Sequence, residues 1–383
     1  MDNQGRGITY FNNKIVFVNN SLPTEDVTLD IIIDKKRYSV ANVKSYIKKS
    51  DKRIKAKCPY FSVCGGCQLQ HLNYEDQLKY KVNKLIELFK PLNISNINIV
   101  KSPDFFYRDK LTLQVKQEIG LFEISSNNIV PIDKCIICNE LINEKIKYLK
   151  QLDTSKIKKI VIKSFSNETM LIIIGNEDIV LDSILEHFDH IYLNDKLIKG
   201  GKIIAHIKDL KYYVSPHAFF QVNPYITYEI YELIRKICIK NKFNNVLDLY
   251  CGCGSISLFI AREVSHVLGV EINESSIKDA LLNKKLNNIK NADFVCSDTN
   301  YIEIKEDYDA IIVDPPRNGL SKIIINKIIK SKVKNIVYVS CDPITLLRDL
   351  KILTESYDIK FIQAFDMFPN TYHVETVTLL NLK

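Results

Sequence analysis

The residues best suited to chemistry lie in the last 140 positions. Asp248-Leu-Tyr-Cys-Gly252-Cys-Gly254-Ser255 follows a β-branched run. Glycines just past a strand let the backbone turn sharply and approach a ligand closely. Nineteen residues after Gly252 a second run ends at Glu271, where a carboxylate can hold ribose hydroxyls. A third ends near Asp298, where a carboxylate could accept from an adenine amine. A nicotinamide site also places an acid about 20 residues on, but its fingerprint is Gly-x-Gly-x-x-Gly. Here Ser257 stands in the third place, and the Asp-x-x-x-Gly-x-Gly form fits S-adenosylmethionine better.

Two further runs end in Asp314-Pro-Pro-Arg317 and Ser340-Cys341-Asp342-Pro343. In a doubly wound sheet the chain order reverses between strands one and four, and ligands bind at the carboxyl ends there. Asp314 and Cys341 are therefore expected beside the cofactor. A thiolate next to a methyl donor has a specific use. Carbon 5 of a pyrimidine is a poor nucleophile, and thiolate addition at carbon 6 converts carbons 4–6 into an enolate. The carbon 5 proton must then leave, which requires a base. Glu375, at the start of the last strand, is the first candidate, and His373 the second. Arg317 stands where an amino-methyltransferase would place an aromatic. The run ending in Asp314 lacks the cysteine of a cytosine enzyme, so uracil is the better base.

The elements that must position these residues read as follows. Helix 225–239 precedes strands at Asn245–Tyr250, Val267–Glu271, Ala292–Ser297, Ala310–Asp314 and Ile336–Ser340, with helical patterns between them. Ile359–Phe365 and Val374–Leu382 are joined too closely for a helix and form a hairpin. This is an α/β, doubly wound parallel sheet with an antiparallel edge. Upstream, Lys14–Asn19, Val27–Asp34 and Tyr38–Tyr46 read as short strands of a small β-barrel. Leu78, Val82, Leu85, Ile86 and Phe89 describe a helix over 74–89, which Pro91 ends. Residues 97–215 are mixed α+β.

The chain has 383 residues and a net charge of +8, and the excess is local. Between Lys35 and Lys57 lie ten basic residues and one acid, a focused stripe that reads as a polyanion contact. Ten cysteines are too few for a disulfide scaffold. The polar start and the absence of any apolar run near 18 residues predict no secretory leader and no membrane span. A cytoplasmic, reducing compartment follows as the expectation. Cys58-x5-Cys64-x2-Cys67 with a distant cysteine supplies four thiolates, for zinc or an iron–sulfur cluster.

Taken together, the chain resembles the bacterial RNA (uracil-C5)-methyltransferases. The matching segments are Phe219-Phe-Gln-Val-Asn-Pro224, Asp248–Gly252, Asp314–Arg317, Ser340–Arg348, and Asp366-Met-Phe-Pro369 with His373-Val-Glu375. The resemblance spans essentially the full length. It implies a class I, Rossmann-like methyltransferase domain (216–383), a central iron–sulfur domain (58–215) and a TRAM-type, OB-like RNA-binding barrel (1–57), whose usual strand before Gln4 is not seen. Helix 74–89 is expected to pack on the methyltransferase domain. It implies Gln221, Tyr250, Ser255, Glu271, Asp298 and Asp314 around S-adenosylmethionine, Cys341 as nucleophile and Glu375 as proton acceptor. The cysteine spacing is that of the branch acting on 23S ribosomal RNA, which carries a [4Fe–4S] cluster. Cys58, Cys64, Cys67 and Cys135 match its ligands, with Cys138 an unusual extra that could replace Cys135. Tyr107-Arg108-Asp-Lys110 looks like a family segment. Expected RNA contacts are Lys48, Lys49, Lys52, Arg53, Arg108, Lys110 and Arg317. The expected activity is methylation of carbon 5 of a flipped uridine in 23S rRNA, by a monomer. The alternatives are a transfer RNA (uracil-C5)-methyltransferase and a non-catalytic RNA-binding ribosome-assembly factor.

Overall fold

The structure is a computed structural model and describes residues 1–383. The catalytic body is an eight-stranded sheet. Its labelled elements are α1 (Tyr74–Phe89), β1 (Asn98–Val100), α2 (Pro224–Asn241), β2 (Asn245–Leu249), α3 (Ser255–Ile260), β3 (His266–Glu271), α4 (Glu274–Leu286), β4 (Ala292–Cys296), β5 (Ala310–Val313), α5 (Lys322–Ser331), β6 (Asn335–Ser340), α6 (Pro343–Leu353), β7 (Tyr357–Phe365) and β8 (Glu375–Leu382). The sheet order is β4-β3-β2-β5-β6-β8-β7-β1. Strands β2 to β6 are mutually parallel where they pair, and β8 lies antiparallel between β6 and β7. The reversal falls between β2 and β5, as the doubly wound reading requires.

These strands read easily because both sheet faces are covered. Ala310–Val313 and Asn335–Ser340 are buried at every residue, so each is a continuous apolar run. Two hydrophobic clusters flank the sheet. One joins α2 and α3 to Val246, Val267, Ile312 and Val377. The other joins α5 and α6 to Leu247, Ile311, Ile336 and Leu380.

The segment 58–215 is not one unit. Leu85 and Phe89 of α1 belong to the second of those clusters. Strand β1 pairs in parallel with β7 and so forms the outer edge of the catalytic sheet. The hairpin Ile203–Ile207/Leu210–Val214 also contributes Ile207, Leu210 and Tyr212 to the catalytic core. What remains in the middle is a seven-stranded sheet built from Lys110–Lys199, covered by the helix Glu140–Ile146.

The expected barrel is an open four-stranded sheet of Gly7–Phe11, Lys14–Asn19, Asp26–Asp34 and Tyr38–Lys48. Its first and third strands, in chain order, are unpaired edges. Its own cluster of buried apolar residues is only Val16, Val18 and Ala41. It leans on its neighbours instead. Leu22 packs on Leu69 and Leu72, and the Tyr80 hydroxyl of α1 donates to the Asp2 carbonyl at 2.6 Å.

Candidate active site

The carboxyl ends of β2, β3, β5 and β6 and the start of β8 converge on one site. After β2 the chain turns through Tyr250 (φ +65°) and Gly252 (φ +55°). A Cβ on Gly252 would meet nothing within 4 Å, so open space lies in front of this turn. The Gly252 amide donates to Glu271 Oε2 at 3.2 Å, and the Asn273 amide donates to Oε1 at 2.8 Å. That fixes the Glu271 carboxylate at the tip of β3. Asp298 is held by the Asn300 amide at 2.8 Å. Ser255 opens α3, and its hydroxyl accepts from Tyr231 at 2.7 Å.

Asp248 and Asp314 form an acidic pair behind the turn. Asp248 is fully buried; Ser257 donates to one oxygen, and the other has no partner. Burial is the main cause that pushes both carboxyls up to about 7. Beside Asp314 the Asp248 charge adds to the shift. A buried carboxylate oxygen without a partner, two residues before a turn of positive φ, is the chemistry that a cationic ligand would satisfy.

Cys341 sits between β6 and α6. Asp342 caps α6, accepting from the amides of Ile344 (2.9 Å) and Thr345 (3.1 Å), and Pro343 is its first residue. The half-buried thiol is pushed up to about 12, first by burial, then by the charges of Glu375 and Asp314, with Arg317 opposing. Glu375 is buried, and its carboxyl stands well above the usual range, first through burial and then through Asp314; Arg317 again opposes. His373 is pushed down to about 4 by burial and by Arg317, Lys84 and Lys81, so its ring is neutral. The structure therefore brings together Tyr250, Glu271, Asp314, Arg317, Cys341, His373 and Glu375.

Gln221 stands just before α2. It lines a cavity of about 660 Å³, with Asp109, Ser164 and Phe220 among its walls.

Cys58, Cys64, Cys67 and Cys135 line one cavity of about 180 Å³, closed by Ile132, Ile136, Leu111 and Arg108. Cys138 lies fully buried and hydrogen-bonds to Cys135. No three His, Cys, Asp or Glu side chains converge closely enough to hold one metal ion. Gln70 is buried beside these thiols; its Oε1 accepts from the Cys58 amide at 3.1 Å, and its Nε2 has no partner.

The basic stripe divides. Lys48, Lys49 and Lys52 are exposed. Arg53 is not a free contact. Its Nη2 donates to Glu25 Oε2 and to the Asn20 carbonyl, each at 2.7 Å, and its guanidinium stacks 4.6 Å from the Tyr46 ring. Its charge is thus paired with Glu25, 28 residues earlier, at the end of the sheet. Arg108 donates to the Lys110 carbonyl at 2.8 Å and faces the cysteine cavity. Lys110 is half-buried, and burial lowers its ammonium.

The sequence reading missed Gln77 and Lys81. With Leu85 and Phe89 they form one buried row at i, i+4 spacing on α1. A lysine and a glutamine continuing a row of core residues is the signal that was available.

The sequence model of the tRNA (Uracil-5-)-methyltransferase family matches residues 186–383, which include Tyr250, Glu271, Asp314, Arg317, Cys341, His373 and Glu375. The chain belongs to this family. An uncharacterised RNA methyltransferase of Clostridium acetobutylicum is 33% identical, over 99% of this chain and 94% of its own length. One of Aquifex aeolicus is 32% identical, over 99% and 96%. Among solved structures, the Pyrococcus abyssi tRNA (uracil-54, C5)-methyltransferase in complex with S-adenosyl-L-homocysteine is 28% identical. It matches with a TM-score of 0.82 over 95% of this chain and 94% of its own. No helix is long and apolar enough to cross a membrane.

Proposed function

We propose that this family member methylates carbon 5 of a specific uridine in 23S ribosomal RNA. The observation that carries the chemistry is the juxtaposition of Cys341 with a buried Glu375 beside Asp314 and the Gly252 turn. Tyr250, Ser255, Glu271, Asp298 and Asp314 would hold S-adenosylmethionine. When bound, it supplies an electrophilic methyl group on a sulfonium. The uridine must leave its stack to expose the base face. Cys341, once ionised to the thiolate, adds its Sγ to carbon 6, and the electron pair of the 5,6 double bond moves to carbon 5, which takes the methyl group. Glu375 next accepts the carbon 5 proton. The electron pair of that C–H bond restores the 5,6 double bond, and the C6–S bond breaks. A carboxylate in an apolar site is a stronger base than one in water, which suits this last step.

The ribosomal target rests on the cysteine set. Four thiols around an apolar cavity are a donor set for either zinc or a [4Fe–4S] cluster, and the likeness of their spacing to the ribosomal branch favours the cluster. Cys135 is the fourth ligand in this reading, since it lines the cavity and Cys138 does not. The second reading, a transfer RNA substrate, is favoured by the likeness to the Pyrococcus abyssi enzyme. Mass mapping of 5-methyluridine in ribosomal and transfer RNA from a deletion strain separates the two. Loss from 23S RNA alone is expected; loss from transfer RNA alone overturns the ribosomal reading. Iron and sulfide analysis of anaerobically purified protein tests the cluster. With a uridine-containing rRNA fragment, Cys341→Ala should abolish methylation, and Glu375→Gln should accumulate a methylated adduct that survives denaturing gels. Full activity in Cys341→Ala would sink the mechanism.

A further inference from the structure

The loop between β7 and β8, Asp366–Val374, has no regular structure, yet it delivers Glu375 to the site. Its conformation is imposed from elsewhere in the chain. Asn370 is the hub; it is buried and adopts φ +67°. Gln77 of α1 reads both of its amides. The backbone N–H of Asn370 donates to Gln77 Oε1 at 2.9 Å, and Gln77 Nε2 donates to Asn370 Oδ1 at 3.1 Å. Asn370 Nδ2 donates in turn to the Asp104 carbonyl at 2.6 Å. On either side, Lys81 pairs with Asp366 and donates to the Phe368 carbonyl at 3.0 Å, and the Tyr107 hydroxyl donates to the Pro369 carbonyl at 3.0 Å.

We propose that Gln77 and Asn370 form a clasp that positions Glu375 for removal of the carbon 5 proton. They are positioning residues for the elimination step and not for thiol addition. This rests on Glu375 being the base. Two observations argue for a step-specific role. The loop runs from the clasp into Glu375 within five residues, so a shift at Asn370 is passed directly to the base. Cys341 stands on the β6–α6 junction, held by the Asp342 cap and the β6 ladder, and none of the clasp's hydrogen bonds reaches it. Buried amides need partners in any case. A reciprocal pair on one residue does more, because it fixes the orientation of the peptide plane, which an apolar side chain of equal size would leave free.

Gln77→Leu keeps the volume and removes both bonds to Asn370. Asn370→Gly keeps the positive φ without strain and removes only the side-chain bonds. Each variant is mixed with an rRNA fragment and methyl-labelled S-adenosylmethionine, and adduct and released product are followed on denaturing gels. Attack and methyl transfer should stay within about twofold of wild type, while elimination slows by about tenfold or more. The adduct-to-product ratio rises accordingly. A merely structural clasp would lower every step with the folded fraction and leave that ratio unchanged. Accumulation in the clasp variants and in Glu375→Gln supports the proposal. Accumulation in Glu375→Gln alone overturns the clasp. No adduct in any of the three overturns Glu375 as the base, and the clasp with it.

Discussion

Cys341 and Glu375 stand across from one another one position beyond the last rung of the β6–β8 ladder, Ser340↔Thr376. The antiparallel register that builds the sheet thus also aims the nucleophile and the base at one place. Cys341 lies beyond the ladder, whereas Glu375 is still paired on its other side with Phe365 of β7, which fixes its backbone.

The first consequence concerns pH. Burial, Glu375 and Asp314 push the Cys341 thiol up to about 12, so below that value the thiolate fraction rises with pH. Adduct formation in Glu375→Gln, measured in single turnovers, should rise about tenfold per pH unit between pH 7 and 9. Arg317→Met removes the cation that opposes the shift and should lower the rate at every pH in this range. A rate independent of pH would mean that the thiol is already ionised.

Asp248 gives a stability signature. Its folded-state carboxyl is raised to about 7 from 3.8, chiefly by burial. The unfolded chain therefore releases this proton first as pH rises. Stability is lost as pH climbs from about 4 through about 7, and the full cost is present above that. Asp248→Asn should raise the melting temperature at pH 8, by the equivalent of a few kcal/mol at most, and change it little at pH 4. Calorimetry without ligand measures this; equal shifts at both pH values would refute it.

The exposed lysines and Arg53 should behave differently. Neutralising Lys48, Lys49 and Lys52 together should weaken RNA binding and flatten its log–log salt slope by about 2. Methyl-donor affinity should stay unchanged. Arg53→Met should leave the slope alone and lower the melting temperature, because it strands the buried Glu25 carboxylate. A slope change in Arg53→Met would restore it as a phosphate contact.

Lys81 and Asp366 are both fully buried. Lys81→Met alone should cost about 3–5 kcal/mol, since it leaves a buried carboxylate unpaired. Lys81→Met combined with Asp366→Asn should recover much of that loss in a double-mutant cycle by urea denaturation. Additive losses would show that the pair is not coupled.

The catalytic sheet and its motif residues were legible because buried parallel strands write themselves as short apolar runs, each ending in its functional group. Strand Gly7–Phe11 was not, since four of its five residues are exposed and its pairing supplies what its pattern lacks. Nor was the place of Asn98–Val100, three residues whose partner strand lies some 260 positions later. Arg53 read as a surface charge for the same reason: its partner, Glu25, belongs to another strand's turn.

The sheet order also sets a schedule for synthesis. Glu375–Leu382, made after every other strand of this sheet, is an interior strand, and it alone joins Tyr357–Phe365 and Asn98–Val100 to the rest. Until Asp366 emerges from the ribosome, α1 carries a lysine toward a core that does not yet contain its partner. At about 5–20 residues per second, that state lasts for tens of seconds after α1 is made. The N-terminal sheet and the cysteine segment, both anchored on α1, are thus among the first parts synthesised and among the last to reach their final places.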